Sequence, residues 1–546
     1  MSRRTEPREA LTASRDGWDR RSFLKFSGVA AGGIGLASLL AACGAGGGGG
    51  TGGSSSGTLT LRMPFLADMM VPDPDTFYEA EGLQMMDATY EGLVKYKPET
   101  ATIIPALATA WTISPDLLTY TFELRPGVKF HDGTPADAGA WQKSFERRKA
   151  VGGGPGYMVE GVAQTEAPNP TTFVVVLTEP NNAFIHYLAC PFKPAAVSPT
   201  AVSANTVGDD YAQDWLASHD AGTGPYTITE FVAGSHYTLA AFADYWGGKP
   251  AFETVRIEIT PSVATQKLQL DGGAFDLVTK GFAVPDILAY QQNPEFTVVN
   301  AVGGIGDAIY MNQTAGIFAN RELRAAVLNG VDREAIVATA WGGMTSAQPG
   351  LLPEKCFPPE LDPMPTSIDT EALKTMVATL PSKKIDLACA VDGGAPRQQM
   401  AELLQTQLSA VGFDVTLRVM PMAEQFDIAN QPPERRPDMM MGFLGGDTFH
   451  PDTTFRIAAR TGAAPVNFFQ YSNPDLDRLM DEAIQQPNEE LRNAVYQRCT
   501  QILFDDAIWI PLCVPPNTTI AHNSVTGFVN ESFIPMTLEL EELKRT

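Results

Sequence analysis

The chain has 546 residues, an ordinary apolar content of 44% and a formal net charge of −24 at pH 7. Its first 42 residues hold seven Lys/Arg and four Asp/Glu, which leaves 32 basic against 59 acidic side chains in the remainder. A body this acidic argues against a nucleic-acid partner, because it would repel the phosphates, and its length predicts at least two domains.

The N-terminal segment has the pattern of an export signal. Arg20 and Arg21 open the motif Arg-Arg-Ser-Phe-Leu-Lys, and a Gly/Ala-rich apolar run follows over residues 27–42. This pattern is typical of a twin-arginine signal peptide. The run is shorter than the ~20 apolar residues that span a bilayer, although an ordinary membrane anchor helix is the alternative.

The apolar run ends in Leu40-Ala41-Ala42-Cys43, which looks like a lipobox, the site where a bacterial signal peptide is cut and the cysteine receives a lipid. We therefore predict a signal peptide over residues 1–42 and lipidation of Cys43. Residues 43–57 are almost entirely Gly, Ser, Ala and Thr, so they form a flexible linker with a reach of ~20 Å. The folded body is expected outside the cytoplasm, anchored to the outer face of the cell membrane or periplasmic.

The first half of the body shows mixed periodicities. Alternation predicts strands, the Pro- and Asp-rich residues 64–78 predict a loop, and longer apolar spacings predict helices. The predicted strands cover residues 58–63, 118–125 and 128–130, the helices cover 83–94 and 137–149, and a helix–strand pair covers 260–278.

The second half predicts an α/β lobe. Residues 384–391 form a strand, a helix follows with Pro396 in its first turn and Gly412 after its end, and a second strand carries Phe413, Val415, Leu417 and Val419 on one face. Such a βαβ unit has two parallel strands and a right-handed crossover. Two further helices are predicted to begin at Asn473 and at Asn488.

The cysteines past Cys43 show no CxxC spacing, so a zinc or redox cluster is not expected. Their odd number leaves at least one unpaired, and the sequence does not say which pair in a disulfide. Cys499 lies at helical spacing from Val495 and Ile502, which favours a buried thiol. The five are Cys190, Cys356, Cys389, Cys499 and Cys513.

Several blocks in order resemble the family 5 extracytoplasmic solute-binding proteins, the large peptide- and nickel-type receptors of ABC importers. The resemblance runs from about Leu59 to the C-terminus. The blocks are Tyr90-Glu91-Gly92-Leu93, residues 104–108 with Trp111, and residues 120–135, 222–226, 244–248, 270–276, 318–327 and 331–337.

The resemblance implies an α/β fold of the type II periplasmic-binding-protein-like class, with two lobes, an extra subdomain and two hinge crossings. We expect the crossings near residues 303–312 and 510–517. The first lobe would comprise residues 58–308 and 516–546, with the extra subdomain at about 77–212, and the second lobe residues 309–515.

The strongest candidate for a ligand-binding segment is residues 442–455, which include Leu444, Asp447, Phe449 and His450. In peptide-binding relatives the acidic residue matching Asp447 holds the α-amino group of the ligand. A carboxylate suits that task, because an ammonium that enters a dry cleft must be paired. The alternative is that Asp447 only caps a turn before Pro451.

Other candidates carry weaker signals. His450 could bind a transition metal or a metal chelate, but a lone loop histidine is more often a hydrogen-bonding residue. Glu81, Gly82 and Gln84 match loosely a loop that touches ligand in relatives. Arg397, in the first turn of a helix, could pair a ligand carboxylate, although a solvated arginine is the alternative. Tyr245 and Trp246 are expected to pack the lobe, and His131 is expected in a structural turn.

We conclude from the sequence that the protein is a lipid-anchored receptor for a small solute, a di- or oligopeptide, and no enzyme. The expected partners are the ligand, an ABC permease and the membrane through Cys43, with a monomeric protein and no cofactor or resident metal. A nickel-type chelate receptor, an exported enzyme and a sensory binding protein are the alternatives. The enzyme hypothesis rests on the export signal alone, since the sequence has no HExxH or CxxC.

Overall fold

A computed structural model describes residues 59–391, 395–463 and 466–546, so the predicted signal peptide, Arg20, Arg21, Cys43 and the linker lie outside the described residues. The strands are β1 (Thr60–Phe65), β2 (Val94–Tyr96), β3 (Ile103–Pro105), β4 (Ala108–Ile113), β5 (Thr119–Leu124), β6 (Val162–Asn169), β7 (Thr172–Leu177), β8 (Tyr226–Val232), β9 (His236–Ala241), β10 (Thr254–Ile259), β11 (Leu277–Val278), β12 (Phe296–Val302), β13 (Gly306–Met311), β14 (Lys384–Val391), β15 (Asp414–Pro421), β16 (Met439–Leu444), β17 (Trp509–Cys513), β18 (Pro516–His522), β19 (Val525–Thr526) and β20 (Lys544–Arg545).

The helices are α1 (Leu83–Thr89), α2 (Ala138–Val151), α3 (Phe184–Tyr187), α4 (Pro199–Asn205), α5 (Gln213–Leu216), α6 (Val263–Asp271), α7 (Val284–Gln291), α8 (Arg321–Gly330), α9 (Arg333–Trp341), α10 (Thr370–Thr379), α11 (Ala395–Ala410), α12 (Met422–Gln425), α13 (Pro451–Ala458), α14 (Pro474–Ile484) and α15 (Glu489–Asp506). A short 3-10 helix, Gly154–Val159, belongs to the extra subdomain. None of the helices in the described part of the chain combines the length and apolar character of a membrane span.

The sheets divide the body into two lobes. The first lobe contains the sheets β1-β10-β9-β8 and β11-β18-β12, and its extra subdomain contains β4-β5-β7-β6. The second lobe is built on one sheet of order β15-β14-β16-β13-β17. The chain passes between the lobes at residues 303–305, between β12 and β13, and at residues 514–515, between β17 and β18. Both passages fall inside the segments expected for the hinge.

The predicted βαβ unit is confirmed. Strands β14 and β15 pair in parallel, with Lys384 opposite Asp414, and Gly412 has φ +105° where the chain turns from α11 into β15. A positive φ of this size favours glycine because it has no Cβ. The predicted inward face of β15 holds only at its start, since Val419 is 45% exposed near the end of this edge strand.

The predicted helix starts at Asn473 and Asn488 are also confirmed. The Asn473 side chain accepts hydrogen bonds from the N–H groups of Asp475 and Leu476, and Asn488 accepts from Leu491. Asparagine caps a helix in this way by satisfying an otherwise unpaired N–H.

Two predictions in the first half are wrong in extent. Helix α1 ends at Thr89 because Tyr90 adopts an extended conformation, and the chain continues into β2. The predicted strand at 128–130 is a single bridge between Lys129 and Pro135, since this turn folds back on itself over too few residues to form a ladder.

Candidate functional site

The loop that joins β16 to α13 projects from the second lobe toward the first. A Cβ on Gly446 would lie 2.5 Å from the Thr453 hydroxyl, so a glycine is required at this turn. The Thr448 hydroxyl accepts a hydrogen bond from the N–H of His450, and its carbonyl accepts one from the Thr453 hydroxyl. These bonds hold the loop in one shape and present the side chain of Asp447 to the first lobe.

The carboxylate of Asp447 meets two tyrosines of the first lobe. The hydroxyls of Tyr78 and Tyr157 both donate to Asp447 Oδ2, each at 2.5 Å. Tyr78 lies in the loop between β1 and α1 and is 39% exposed, whereas Tyr157 lies in the 3-10 helix of the subdomain. The site is therefore assembled from three chain segments and exists only when the two lobes are in contact.

The electrostatics of this carboxylate are unusual. Burial raises the pKa of Asp447, and the two tyrosine hydrogen bonds oppose that shift only in part. Among the described residues no lysine or arginine forms an ion pair with Asp447. A partly buried carboxylate without a paired cation is destabilised in its charged form, so a cationic group that reaches it gains free energy.

Phe449 joins the same loop to the first lobe. Its ring packs against Tyr96 and Phe533, with centroid separations of 4.9 and 5.0 Å, and its backbone N–H donates to the Tyr96 hydroxyl at 3.3 Å. Only 2% of Phe449 is exposed, and it belongs to the apolar core of the first lobe. Phe449 thus fixes the position of the Asp447 loop against the first lobe.

A second contact between the lobes lies at the end of α14. The Asn182 side chain donates to the carbonyls of Ala483 and Gln486 at 2.8 and 2.9 Å, and its backbone N–H donates to the carbonyl of Ile484 at 2.9 Å. The carbonyls at a helix C-terminus lack intrahelical partners, and Asn182 of the subdomain supplies hydrogen-bond donors to them here.

His450 begins α13 rather than facing an open cleft. Its Nδ1 accepts the N–H of Asp452 at 3.3 Å, and it is 2% exposed. Its ring faces that of His186 across the lobe boundary, with centroids 5.1 Å apart, and burial lowers the pKa of both imidazoles. In the described ranges no group of three or more His, Cys, Asp or Glu side chains is arranged to hold a metal ion.

The residues at the start of α1 make their contacts within the first lobe. Glu81 accepts from the N–H of Leu66 at 2.9 Å and forms an ion pair with Lys280. Gly82 has φ +91°, and a Cβ there would lie 2.4 Å from Met69 Cβ. The Gln84 amide bonds both backbone groups of Leu538, at 2.7 and 2.9 Å, and is buried. These contacts tie the loop and the C-terminal segment to the lobe.

Three sequence candidates have partners within the protein or lie in its core. Gln84 has its hydrogen bonds filled by Leu538, so it is not available to a ligand. Leu444 is fully buried in the core of the second lobe and cannot reach one. Arg397 is partly buried, and its guanidinium bonds Asp307 Oδ1 through two nitrogens, at 2.9 and 2.6 Å.

The structural roles predicted for other residues are confirmed. Tyr245 and Trp246 donate to the Glu91 carboxylate at 3.2 and 2.9 Å and so pack the lobe. From its turn, His131 bridges Asp220 and the carbonyl of Gly224, which lie 89 and 93 positions further along the chain. The five cysteines of the described part are free and buried, Cys499 among them.

Tyr78 and Tyr157 are the site residues that the sequence did not reveal. They stand 369 and 290 positions before Asp447, so no local spacing connects them to it. The one available signal is an aromatic residue in the Pro- and Asp-rich loop, which is too common to single out Tyr78.

Comparison with known proteins identifies relatives of the whole body. The sequence model described as bacterial extracellular solute-binding proteins, family 5 (middle region), matches residues 102–464. The chain is 26% identical over 477 residues to the probable D,D-dipeptide-binding periplasmic protein DdpA of Escherichia coli (strain K12), covering 86% of this chain and 90% of that protein. It is 27% identical over 476 residues to di/tripeptide-binding protein 2 of Pseudomonas aeruginosa (strain UCBPP-PA14), covering 80% of this chain and 86% of that protein.

Solved structures share the fold. DppA from Helicobacter pylori, in complex with the peptide STSA, aligns with a TM-score of 0.74 at 22% identity and covers 89% of this chain and 98% of its own. NikA from Brucella suis, in complex with Fe(III)-EDTA, aligns with a TM-score of 0.77 at 21% identity and covers 89% of this chain and 100% of its own. The α/β two-lobe fold predicted from the sequence is confirmed by these likenesses.

Proposed function

The chain belongs to family 5 of the bacterial extracellular solute-binding proteins, and we propose that it captures a di- or oligopeptide outside the cytoplasm for an ABC importer. The proposal rests above all on Asp447, a carboxylate between the lobes that has two hydroxyl donors and no cation among the described residues. The amino terminus of a peptide supplies the missing positive charge.

Capture requires no bond-breaking step. A ligand bound between the lobes touches both, so it stabilises the arrangement in which Tyr78 and Tyr157 reach Asp447. Such a ligand shifts the population from open to closed forms in proportion to its preference for the closed one. The permease then distinguishes loaded from empty receptors by their shape.

The relatives support a peptide over a metal chelate. Two of them carry names that refer to dipeptides or tripeptides, whereas the chelate hypothesis depends on His450. That histidine is buried, its Nδ1 caps α13, and it belongs to no group of three or more metal-ligating side chains in the described ranges.

The amino-group role is tested with ligand chemistry. We expect an equimolar pool of dipeptides and tripeptides to raise the melting temperature of the purified receptor, because a ligand at 100 times its Kd adds ~2.7 kcal/mol to the stability of the folded state. The same pool with acetylated amino termini is expected to give no shift, since the acetyl group removes the charge that Asp447 pairs.

Equal shifts with both pools would show that Asp447 does not receive an amino group. A shift with neither pool would exclude short peptides as ligands, and native mass spectrometry of the receptor from its own host would then reveal what it carries. Free amino acids, tested beside the pools, separate a peptide receptor from an amino-acid receptor.

The lipid anchor is a separate proposal with its own test. We expect Cys43→Ser to move the protein from the membrane fraction to the soluble extracytoplasmic fraction, because the lipid proposed on Cys43 is the tether that holds it there. Peptide binding by the released protein should be unchanged. A Cys43→Ser protein that still sediments with membranes would contradict lipidation at this residue.

A further inference from the structure

Two histidines face each other across the boundary between the lobes. His186 belongs to α3 of the subdomain, His450 begins α13 of the second lobe, and their ring centroids are 5.1 Å apart. His450 is 2% exposed, and His186 is partly buried. Two charged imidazoles at this separation would repel each other, because a buried pair is screened by solvent much less than an exposed one.

His450 is held in its neutral form by its position at the start of α13. Its Nδ1 accepts the N–H of Asp452 at 3.3 Å and so caps the helix. A neutral imidazole has one accepting nitrogen and one that carries hydrogen, so the hydrogen of His450 is on Nε2, which is buried and has no partner among the described residues. A second proton would have to go to Nδ1. It would end the capping bond and place a positive charge at the positive end of the helix dipole.

His186 is connected to the Asp447 loop through Tyr96. Its Nδ1 lies 3.0 Å from the Tyr96 hydroxyl, and the oxygen of that hydroxyl accepts the backbone N–H of Phe449 at 3.3 Å. The hydroxyl hydrogen can therefore point to Nδ1, which accepts it when the ring is neutral and cannot do so when the ring is protonated. Protonation of His186 disturbs a chain of two hydrogen bonds that crosses the lobe boundary and ends two positions after Asp447.

The surroundings of the two rings also oppose a positive charge. Burial lowers the pKa of His186 to about 3, and Arg492 of α15 lowers it further. Burial likewise lowers the pKa of His450 well below its usual range, and His186, Arg492 and Arg456 add to that shift. Both rings are therefore neutral at any mildly acidic pH as long as the lobes stay in contact.

The carboxylates of this region are paired with the arginines and leave the rings without a counter-charge. Asp452 binds Arg456 at 2.8 Å, and Glu489 pairs with Arg492 at 3.4 Å while remaining 78% exposed. The other titratable side chains that face the rings are two neutral tyrosines, Tyr96 beside His186 and Tyr496, whose ring centroid lies 5.7 Å from that of His450.

We propose that the His186–His450 pair makes closure of the lobes sensitive to acid, so that the receptor opens and releases its ligand as the pH falls below about 6.5. When the lobes separate, the rings part and can take up protons that the closed form excludes. A group of this kind favours the closed form above its open-state pKa and the open form below it. The proposal rests on the capture of a ligand between the lobes, as proposed above, but not on that ligand being a peptide.

The size of the effect follows from the two titrations. A histidine that is neutral in the closed form and has an ordinary pKa in the open form shifts the closing equilibrium by up to about 30-fold between pH 7.5 and 5.0, and two shift it by up to about 1,000-fold. Asp447 also takes up a proton in acid, because burial raises its pKa. The contribution of the histidines is therefore the difference between wild type and a receptor that lacks them.

The test uses the double variant His186→Gln/His450→Asn. Asparagine still caps a helix, glutamine still offers an acceptor to Tyr96, and neither titrates. Isothermal titration with a peptide that binds wild type at pH 7.5 gives the ratio of Kd at pH 5.0 to Kd at pH 7.5 for each protein. We expect this ratio to be at least about tenfold larger for wild type than for the double variant. His219→Gln, which changes an exposed histidine of the first lobe, should keep the wild-type ratio.

Equal ratios for wild type and the double variant would overturn the proposal. If the double variant does not fold, His186→Gln alone replaces it and should remove up to about 30-fold of the wild-type ratio. If no peptide binds wild type at pH 7.5, the proposed peptide function fails, and small-angle X-ray scattering of the ligand-free proteins then decides on the acid response. The radius of gyration should increase from pH 7.5 to 5.0 in wild type and stay constant in the double variant. No increase in wild type, or the same increase in both, would contradict the proposal.

Discussion

Asp447→Asn is expected to weaken the binding of a peptide with a free amino terminus by roughly 30- to 4,000-fold. Loss of one partner from a desolvated charge pair costs ~2–5 kcal/mol, which corresponds to that range of Kd. Asparagine has nearly the same shape and still accepts hydrogen bonds from Tyr78 and Tyr157, so the loop should keep its position. Isothermal titration with a peptide found to bind wild type measures the change.

Two controls separate charge from structure. Asp475→Asn removes a carboxylate from an exposed position of α14, where it pairs with Arg478, and should leave affinity unchanged. Tyr78→Phe removes one of the two hydroxyl donors and should cost less than Asp447→Asn, because the charge remains. An affinity for Asp447→Asn within about threefold of wild type would mean that the ligand's cation, if it has one, is bound elsewhere.

Elements whose residues are close in sequence could be predicted, and the βαβ unit shows why. The apolar residues of α11 repeat at helical spacing, and Met400, Leu404 and Leu408 are buried as that spacing predicts. The caps of α14 and α15 depend on residues two or three positions apart. Local spacing carries this information, so a single sequence suffices for it.

The partners of the site residues depend on contacts across the chain. The Gln84 amide forms a hydrogen bond with Leu538, which is 454 positions away. The Arg397 guanidinium forms one with Asp307, which is 90 positions away. Neither partner can be found from local sequence. The sequence could identify the Asp447 loop through the family resemblance, because its residues are contiguous. It could not identify Tyr78 or Tyr157, whose roles arise only when the lobes meet.

The loop that carries Tyr78 is held by a buried cluster of four charges. Arg147 of α2 bonds both oxygens of Asp73, at 2.8 and 2.7 Å, and also Asp75 at 2.5 Å, while Arg148 approaches Asp75 at 3.2 Å. All four side chains are at most 4% exposed. Burial alone would lower the pKa of Arg147, but the two carboxylates raise it, so its charge is stabilised by them.

Arg147→Met is therefore expected to destabilise the first lobe by ~3–5 kcal/mol, because it leaves two buried carboxylates facing one arginine. Burial already raises the pKa of Asp75 although both arginines oppose it, so loss of one arginine pushes that carboxyl further toward its neutral form. Urea unfolding followed by tryptophan fluorescence measures the loss. Lys143→Met, on the exposed face of the same helix, removes a pair with Glu146 in which both side chains are at least 50% exposed, and should cost ~0–1 kcal/mol.

The cluster also links stability to ligand capture. Asp73 and Asp75 stand three to five positions before Tyr78 in the same loop, so a loosened cluster frees the tyrosine that completes the Asp447 site. We expect Arg147→Met to reduce peptide affinity even in the absence of denaturant, while Lys143→Met leaves it unchanged. A destabilised Arg147→Met receptor with wild-type affinity would show that the position of Tyr78 is fixed by its contact with Phe192, at a ring separation of 4.7 Å, and does not depend on the buried charges.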